Sequence, residues 1–90
     1  MTKPARQYAP ILLERILACM WPRHPLPCFS GYISLETLYS LVVVKEALEV
    51  LQERRLVHRL SDDEKVVRSM RIEFDVYVLT EAGYKSSNKE

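Results

Sequence analysis

Residues 44–83 decide the fold, and they contain three informative runs, which read VKEALEVL at 44–51, RLV at 55–57 and YVLTEAG at 77–83. Apolar residues recur every three to four positions in the first run and predict an amphipathic helix over about 43–55. A short strand is expected at 56–60. A second strand is expected at 70–78, because apolar and polar residues alternate strictly there. The block therefore predicts a helix that leads into a two-stranded antiparallel ribbon.

Two short segments complete this block. Residues 61–65 read SDDEK and are expected to form a polar hairpin loop between the two strands. Thr80 is placed to cap a last short turn, and 86–90 is a polar tail.

The chain before this block predicts a first helix and then an interruption. The helix fits 9–20, since its apolar residues fall near one face and Pro10 suits a first helical turn. Three prolines within 21–29 exclude a helix or central strand there. A rigid connector that packs Trp21 against the core is the simplest interpretation, and a polyproline-type docking segment is the alternative.

A second helix is expected to begin at Ser34, which is a good N-cap, after a short extended piece at 31–33. Its apolar residues recur at helical spacing and are Leu35, Leu38 and Val42. A turn at 41–43 would then separate it from the 43–55 helix.

Length and composition are those of one folded domain. The chain has 90 residues, of which 48% are hydrophobic and 28% are charged. We therefore expect a single domain over 1–90, with 1–7 and 86–90 flexible. The predicted fold class is α+β and mainly α. The formal net charge is +1, and the positive excess lies in 1–33 rather than in the 43–55 helix.

The predicted order of helix, extended piece, helix, turn, helix, strand, loop and strand is that of a winged helix-turn-helix domain. Such a domain has three helices and a C-terminal wing, a β-ribbon of two to three strands. LEVLQERRLV at 48–57 resembles the L-x-x-L-x-x-x-x-L-V run that ends the recognition helix of MarR-like and PadR-like bacterial regulators. YVLTEAG at 77–83 resembles the Y-x-L-T-x-x-G ending of their wing.

The chain departs from these families at two places. They usually carry Gly where Arg55 stands, so a different helix ending is expected here. They also tend to begin the recognition helix with small polar and basic residues, whereas this chain has valine at 42–44.

The resemblance implies a small DNA-binding transcriptional regulator whose 43–55 helix enters the major groove of double-stranded DNA. The side chains that would face the groove are Val42, Val43, Lys45, Glu46 and Glu49. Lysine can donate hydrogen bonds to guanine or to a phosphate, and glutamate can accept one from the amino group of cytosine. Valine can make apolar contact with a thymine methyl group. The wing would contact phosphates through Arg59, Lys65, Arg68 and Arg71.

A second interpretation stays open, in which the domain is an adaptor that binds another protein and no DNA. Glu46, Glu49 and the acidic residues 62–64 lie where a DNA-binding surface favours basic groups. A nearly neutral monomer also neutralises few phosphates. The docking surface would then be the first helix, the 21–27 segment or the valine-rich start of the recognition helix.

The first helix has two open interpretations as well. Its apolar side chains belong to the core, or they pair two copies of the chain. The candidate dimer contacts are Tyr8, Leu12, Leu13, Ile16 and Met20. We expect a homodimer, because a symmetric pair doubles the phosphate contacts and reads two half-sites.

Other functions have little support in the sequence. Cys19, His24, Cys28 and His58 lack the spacing of a structural zinc site, so we expect free thiols, no metal and no cofactor. There is no Gly-rich phosphate loop or nucleophile motif, and an enzyme is not expected. With no signal peptide and no apolar run of about 20 residues, we expect a cytoplasmic protein without membrane contact.

Overall fold

The structure is a computed structural model that describes residues 10–87. Helix α1 (Pro10–Met20) and a 3-10 turn (Trp21–Arg23) lead to strand β1 (Cys28–Phe29), helix α2 (Ser30–Thr37) and helix α3 (Leu41–Glu53). Strand β2 (Val57–Arg59), helix α4 (Asp62–Val67), strand β3 (Val76–Leu79) and helix α5 (Glu81–Ser87) follow. The strands form one antiparallel sheet in the order β1-β3-β2. This is the predicted α+β architecture, and it is mainly helical.

The core lies between the three N-terminal helices and one face of the sheet. The inner face of α3 provides its centre, where four side chains are 0% exposed: Val44, Ala47, Leu48 and Leu51. Val57 of β2 and Leu79 of β3 cover them from the sheet. The predicted apolar face of this helix is confirmed.

Helix α1 is a core helix, and this corrects the predicted dimer interface. Four of the five predicted contacts are buried within the chain's own core: Leu12, Leu13, Ile16 and Met20. Their side chains already pack against the other helices, so they offer no surface to a second copy. The fifth, Tyr8, lies outside the described residues.

The helix-turn-helix begins earlier than predicted. Helix α2 starts at Ser30, so 31–33 is helical rather than extended and Ser34 is not a cap. The turn falls at 38–40 and not at 41–43. Ser40 caps α3, since its side chain accepts a hydrogen bond from the Val43 N–H at 3.3 Å.

This shift overturns the predicted apolar face of the second helix. The three apolar residues at helical spacing are strongly exposed, at 77% for Leu35, 89% for Leu38 and 66% for Val42. Leu38 also ends α2 in the left-handed conformation, with φ of 66°. Ile33, which was expected to be extended, is the apolar residue that α2 buries, together with Ser30.

The wing segment, residues 60–75, differs most from the prediction. The strand expected at 70–78 is confined to β3, and Ile72 and Phe74 are 52% and 45% exposed. The expected loop at 61–65 is instead the start of α4. A capping box builds this helix: Ser61 accepts from the Glu64 N–H, and the Glu64 carboxylate accepts from the Ser61 N–H at 2.7 Å.

The backbone at the end of α3 contacts two residues of the YVLTEAG motif, Thr80 and Gly83. Arg55 adopts φ of 63°, and the Leu56 N–H donates to the Leu51 carbonyl at 2.9 Å. This is the left-handed ending that Gly usually makes, so the prediction of a different ending is wrong. Thr80 donates to the Arg55 carbonyl at 2.7 Å and accepts from the Gly83 N–H at 3.0 Å, as a cap for α5. A Cβ at Gly83 would collide with the Leu56 carbonyl.

Candidate nucleic-acid interface

The outward face of α3 is the surface that the winged helix prediction assigns to DNA. Val42, Lys45, Glu46 and Glu49 are all exposed on it. Val43 is not part of this face, because it is half-buried and packs against the core. The face therefore begins with one valine, continues with one lysine and ends in glutamates.

A carboxylate from the sheet holds two of the predicted DNA contacts. Asp75, just before β3, lies 2.8 Å from the Lys45 Nζ of α3 and 2.8 Å from the Arg59 Nη2 of β2. Hydrogen bonds from Lys45 and then Arg59 keep the pKa of Asp75 below its usual range, since they stabilise the charged form. The same contact with Asp75 raises the pKa of Lys45 and that of Arg59. Both cations are thus charged and already paired.

The backbone around this cluster is fixed by further hydrogen bonds. The Asp75 carbonyl accepts from the Ser30 N–H at 3.1 Å. The Gln52 side chain of α3 accepts from the Arg59 N–H at 3.0 Å. Helix α3 and the sheet are therefore joined by polar contacts at the edge of the candidate interface as well as by the apolar core.

A cavity of about 490 Å³ opens beside the same cluster. Lys45 and Asp75 lie on its wall, together with the apolar side chains of Phe29, Leu41 and Phe74. The rings of Phe29 and Phe74 meet edge to face, with centroids 5.5 Å apart. The cavity gives solvent, or a bound group, a route to the ion pair of Lys45 and Asp75.

The wing cations differ widely in their availability. Lys65 was expected on an exposed loop, but it is 3% exposed and its Nζ donates to the Ile72 carbonyl at 3.0 Å. It holds the wing segment together and is not placed to reach a phosphate, which corrects the prediction. Arg71 is exposed and pairs with Glu73 at 2.8 Å. Arg68 is exposed, and among residues 10–87 no ion pair holds it.

An exposed apolar corner lies next to this interface, formed by Leu35, Leu38 and Val42 around the turn between α2 and α3. Exposing a leucine and holding it in a left-handed conformation are each unfavourable, and Leu38 does both. The sequence contained the residues of this corner, but helical spacing alone suggested that they were buried.

The structure gives no sign of a metal or thiol site in the part of the chain that it describes. Within residues 10–87 no three His, Cys, Asp or Glu side chains come together as metal ligands. Burial raises the pKa of Cys19 to about 11 and also raises the pKa of Cys28. Both thiols are therefore protonated at neutral pH and poorly nucleophilic. No helix among these residues has the length and apolarity to cross a membrane.

Two solved structures are similar to this chain: a double mutant of Lactococcus lactis ZitR and the apo form of the same mutant. The TM-scores are 0.68 and 0.62, at 18% and 20% sequence identity. The alignments cover 97% and 90% of this chain but 54% and 57% of the ZitR chain, so this chain spans little more than half of ZitR's length. No family model and no curated protein matches the chain.

The chain has a winged helix fold. The helix order, the position of α3 and the sheet order agree with the fold that the sequence predicts. At this level of identity the likeness to ZitR concerns the fold alone.

Asp75 is the functional candidate that sequence reasoning missed. The alternation in 70–78 placed it on the solvent side of a strand, with no indication of a partner. Its partners come from α3 and β2, and only the packing of helix against sheet brings the three side chains together. No local spacing in the sequence marks such a contact.

Proposed function

We propose that this winged helix domain binds double-stranded DNA as part of a cytoplasmic transcriptional regulator of the MarR-like or PadR-like type. One observation carries the proposal. The inner face of α3 is fully buried, while its outer face is exposed from Val42 to Glu49 and is free of the domain's own core. A helix held in this way is suited to enter a major groove.

The contacts proposed for DNA follow from where the side chains lie. Lys45, Glu46 and Glu49 face the groove from α3, and Val42 takes the place first assigned to Val43 for contact with a thymine methyl group. The phosphate contacts are assigned to Arg59, Arg68 and Arg71, which are all exposed on the wing. Of these three, Arg68 is the one that could contact a phosphate without first breaking an ion pair within residues 10–87.

The low charge of the domain supports a dimer as its active form. A net charge of +1 gives weak electrostatic attraction to DNA. Two copies on two half-sites would double the phosphate contacts without changing either domain. Because the predicted contacts on α1 are buried, the pairing surface would have to lie elsewhere on the chain.

The test is a titration of labelled duplex DNA at low and moderate salt, with Arg68→Ala and Arg54→Ala as a matched pair. Both variants remove one positive charge, but Arg54 caps the far end of α3. We expect binding at low salt. Arg68→Ala should reduce the slope of log affinity against log salt by about 0.9, and Arg54→Ala should leave it unchanged. Absence of binding at low salt would exclude the proposal.

The alternative is a protein-binding adaptor, which the exposed corner of Leu35, Leu38 and Val42 favours. In that case DNA should not bind, and a triple change of the corner to serine should abolish partner binding while leaving the fold intact. Partner binding through this corner should respond little to salt, because apolar contacts are not screened.

A further inference from the structure

We propose that Asp75 competes with DNA phosphates for the side chains of Lys45 and Arg59, and thereby limits the affinity of the interface. This inference rests on the proposed function, since it assigns a role to a carboxylate within the proposed DNA-binding surface. Asp75 would act as an internal substitute for a phosphate group.

The geometry of the cluster is that of a carboxylate placed between two cations. Each of the two oxygens has its own partner: Oδ2 lies 2.8 Å from Lys45 Nζ, and Oδ1 lies 2.8 Å from Arg59 Nη2. Charge-assisted hydrogen bonds of this length are the strong kind that a phosphate oxygen would also make. A phosphate must therefore displace the carboxylate or lie beside it against its negative charge.

The exposure of the three side chains allows such an exchange. Lys45 and Arg59 are 45% and 53% exposed, whereas Asp75 is 22% exposed. The cations can therefore turn toward an incoming phosphate, while the carboxylate stays close to the sheet. The backbone of Asp75 is anchored by the hydrogen bond from Ser30, so the competing group is fixed in place.

The cluster also has a consequence for charge. Two cations and one carboxylate leave a single net positive charge in the cluster. Glu73 holds Arg71 in the same way at 2.8 Å. Removing the charge of Asp75 would release two cations at once, whereas removing the charge of Glu73 would release one.

The decisive variant is Asp75→Asn, which keeps the size of the side chain and removes its charge. We expect it to bind duplex DNA roughly fivefold to twentyfold more tightly, since each released cation gains an exposed ion pair with phosphate. The slope of log affinity against log salt should steepen by about 0.9 for each phosphate newly neutralised. Circular dichroism and thermal unfolding would confirm that the variant is folded.

The matched control is Asp63→Asn, which makes the same change in net charge on the exposed surface of α4. Asp63 makes no ion pair within the described residues, so its loss releases no cation. Any gain in DNA affinity that comes from the change in net charge should appear equally in both variants. Equal affinities for Asp75→Asn and Asp63→Asn would overturn the proposal.

A double-mutant cycle with Lys45→Ala gives a second test. If Asp75 keeps Lys45 in an ion pair, then Lys45→Ala should weaken DNA binding less than about twofold in the wild-type chain. In the Asp75→Asn chain, the same substitution should weaken DNA binding roughly fivefold. The opposite result, in which Asp75→Asn weakens binding, would make Asp75 a residue that positions the two cations for DNA.

The outcomes separate this inference from the proposed function. If the wild-type chain binds DNA and Asp75→Asn binds it no more tightly than Asp63→Asn does, only the competition by Asp75 is excluded. Failure of every variant to bind at low salt removes both. Binding by Asp75→Asn where the wild-type chain fails to bind at low salt would support the competition, but it would remove the proposed function of the wild-type chain.

Discussion

Two regions of the molecule are held together by different forces. The helical half, residues 10–53, is ordered by burial: α1 and α3 each place a continuous apolar face in the core. The wing segment, residues 60–75, buries Leu60 but exposes four other apolar side chains: Val66, Val67, Ile72 and Phe74. Polar contacts order it instead, through the capping box of α4 and the hydrogen bond from Lys65 to Ile72. Apolar periodicity therefore identifies α1 and α3 correctly, whereas it is misleading for α2 and for the wing segment.

The test with the largest expected effect removes one apolar side chain from each region. Leu48 is 0% exposed in α3, whereas Val67 is 83% exposed in α4. Leu48→Ala should lower the free energy of unfolding by about 2–5 kcal/mol, because it leaves a cavity in the core. Val67→Ala should change it by less than about 0.5 kcal/mol.

Urea unfolding at neutral pH measures both variants. A comparable loss of stability in the two would mean that the wing segment is also held by apolar burial, against the exposure of its side chains. The slope of the unfolding curve should not change, since neither substitution alters the surface exposed on unfolding by much.

The second test concerns the buried lysine. Lys65→Met keeps the apolar stem but removes the ammonium group that donates to the Ile72 carbonyl at 3.0 Å. We expect a loss of about 1–2 kcal/mol, because the carbonyl is left without its charged donor. Lys85→Met is the matched control, because Lys85 is 73% exposed and, within residues 10–87, its ion pair is with Glu81. The free energy of unfolding should fall by about 0.3–0.5 kcal/mol in this variant.

Amide hydrogen exchange would show where Lys65 acts. In Lys65→Met the amides of the wing segment should exchange faster, while those of α3 keep their protection. Unchanged exchange across 60–75 would mean that the ammonium contributes nothing to the order of this segment.

Particular residues show what the sequence could predict. The face of α3 was predicted correctly because Val44, Leu48 and Leu51 are buried for the reason that periodicity assumes. The turn was misplaced because no Gly, Asn or Pro marks it, and Ser40, which caps α3, was not recognised as the start of that helix. The strand at 70–78 was overextended because alternation does not show whether a core lies behind it.

The candidate site shows the same limit. Exposure of Lys45, Glu46 and Glu49 followed from the helix prediction, but the pairing of Lys45 and Arg59 with Asp75 did not. Lys65 was assigned to the surface because lysine is rarely buried. The capping box at Ser61 and Glu64 was a usable signal, since the S-x-x-E pattern was present in the sequence.

A third test uses pH. The Ser61 N–H and then His58 lower the pKa of Glu64, and Lys45 and then Arg59 lower the pKa of Asp75. A carboxyl whose pKa is lower in the folded state stabilises the fold above its unfolded pKa of about 4, and this contribution is lost as pH falls through the folded value. Glu64→Gln and Asp75→Asn should therefore be less stable than the wild-type chain at pH 7, and the difference should shrink below about pH 4.

Urea midpoints at several pH values measure this trend, with Asp63→Asn as the variant expected to show little difference at any pH. The effect should be smaller than that of Lys65→Met, since both carboxylates are partly solvated. A difference that stays constant down to the lowest pH would mean that the variants act through packing and not through charge.

The smallest expected effect comes from the junction between the two regions, at Arg55, which follows the end of α3. Its φ of 63° is unfavourable for a side chain and easy for glycine. Arg55→Gly should therefore raise the free energy of unfolding by about 0.5–1 kcal/mol, even though it removes a side chain. Arg54→Gly is the matched control, because Arg54 has φ of −85° and lies at the helix end, where glycine gains no such relief. If Arg55→Gly stabilises the fold and Arg54→Gly destabilises it, backbone conformation, and not the charge of arginine, limits stability at this junction. Equal effects of the two substitutions would contradict this explanation.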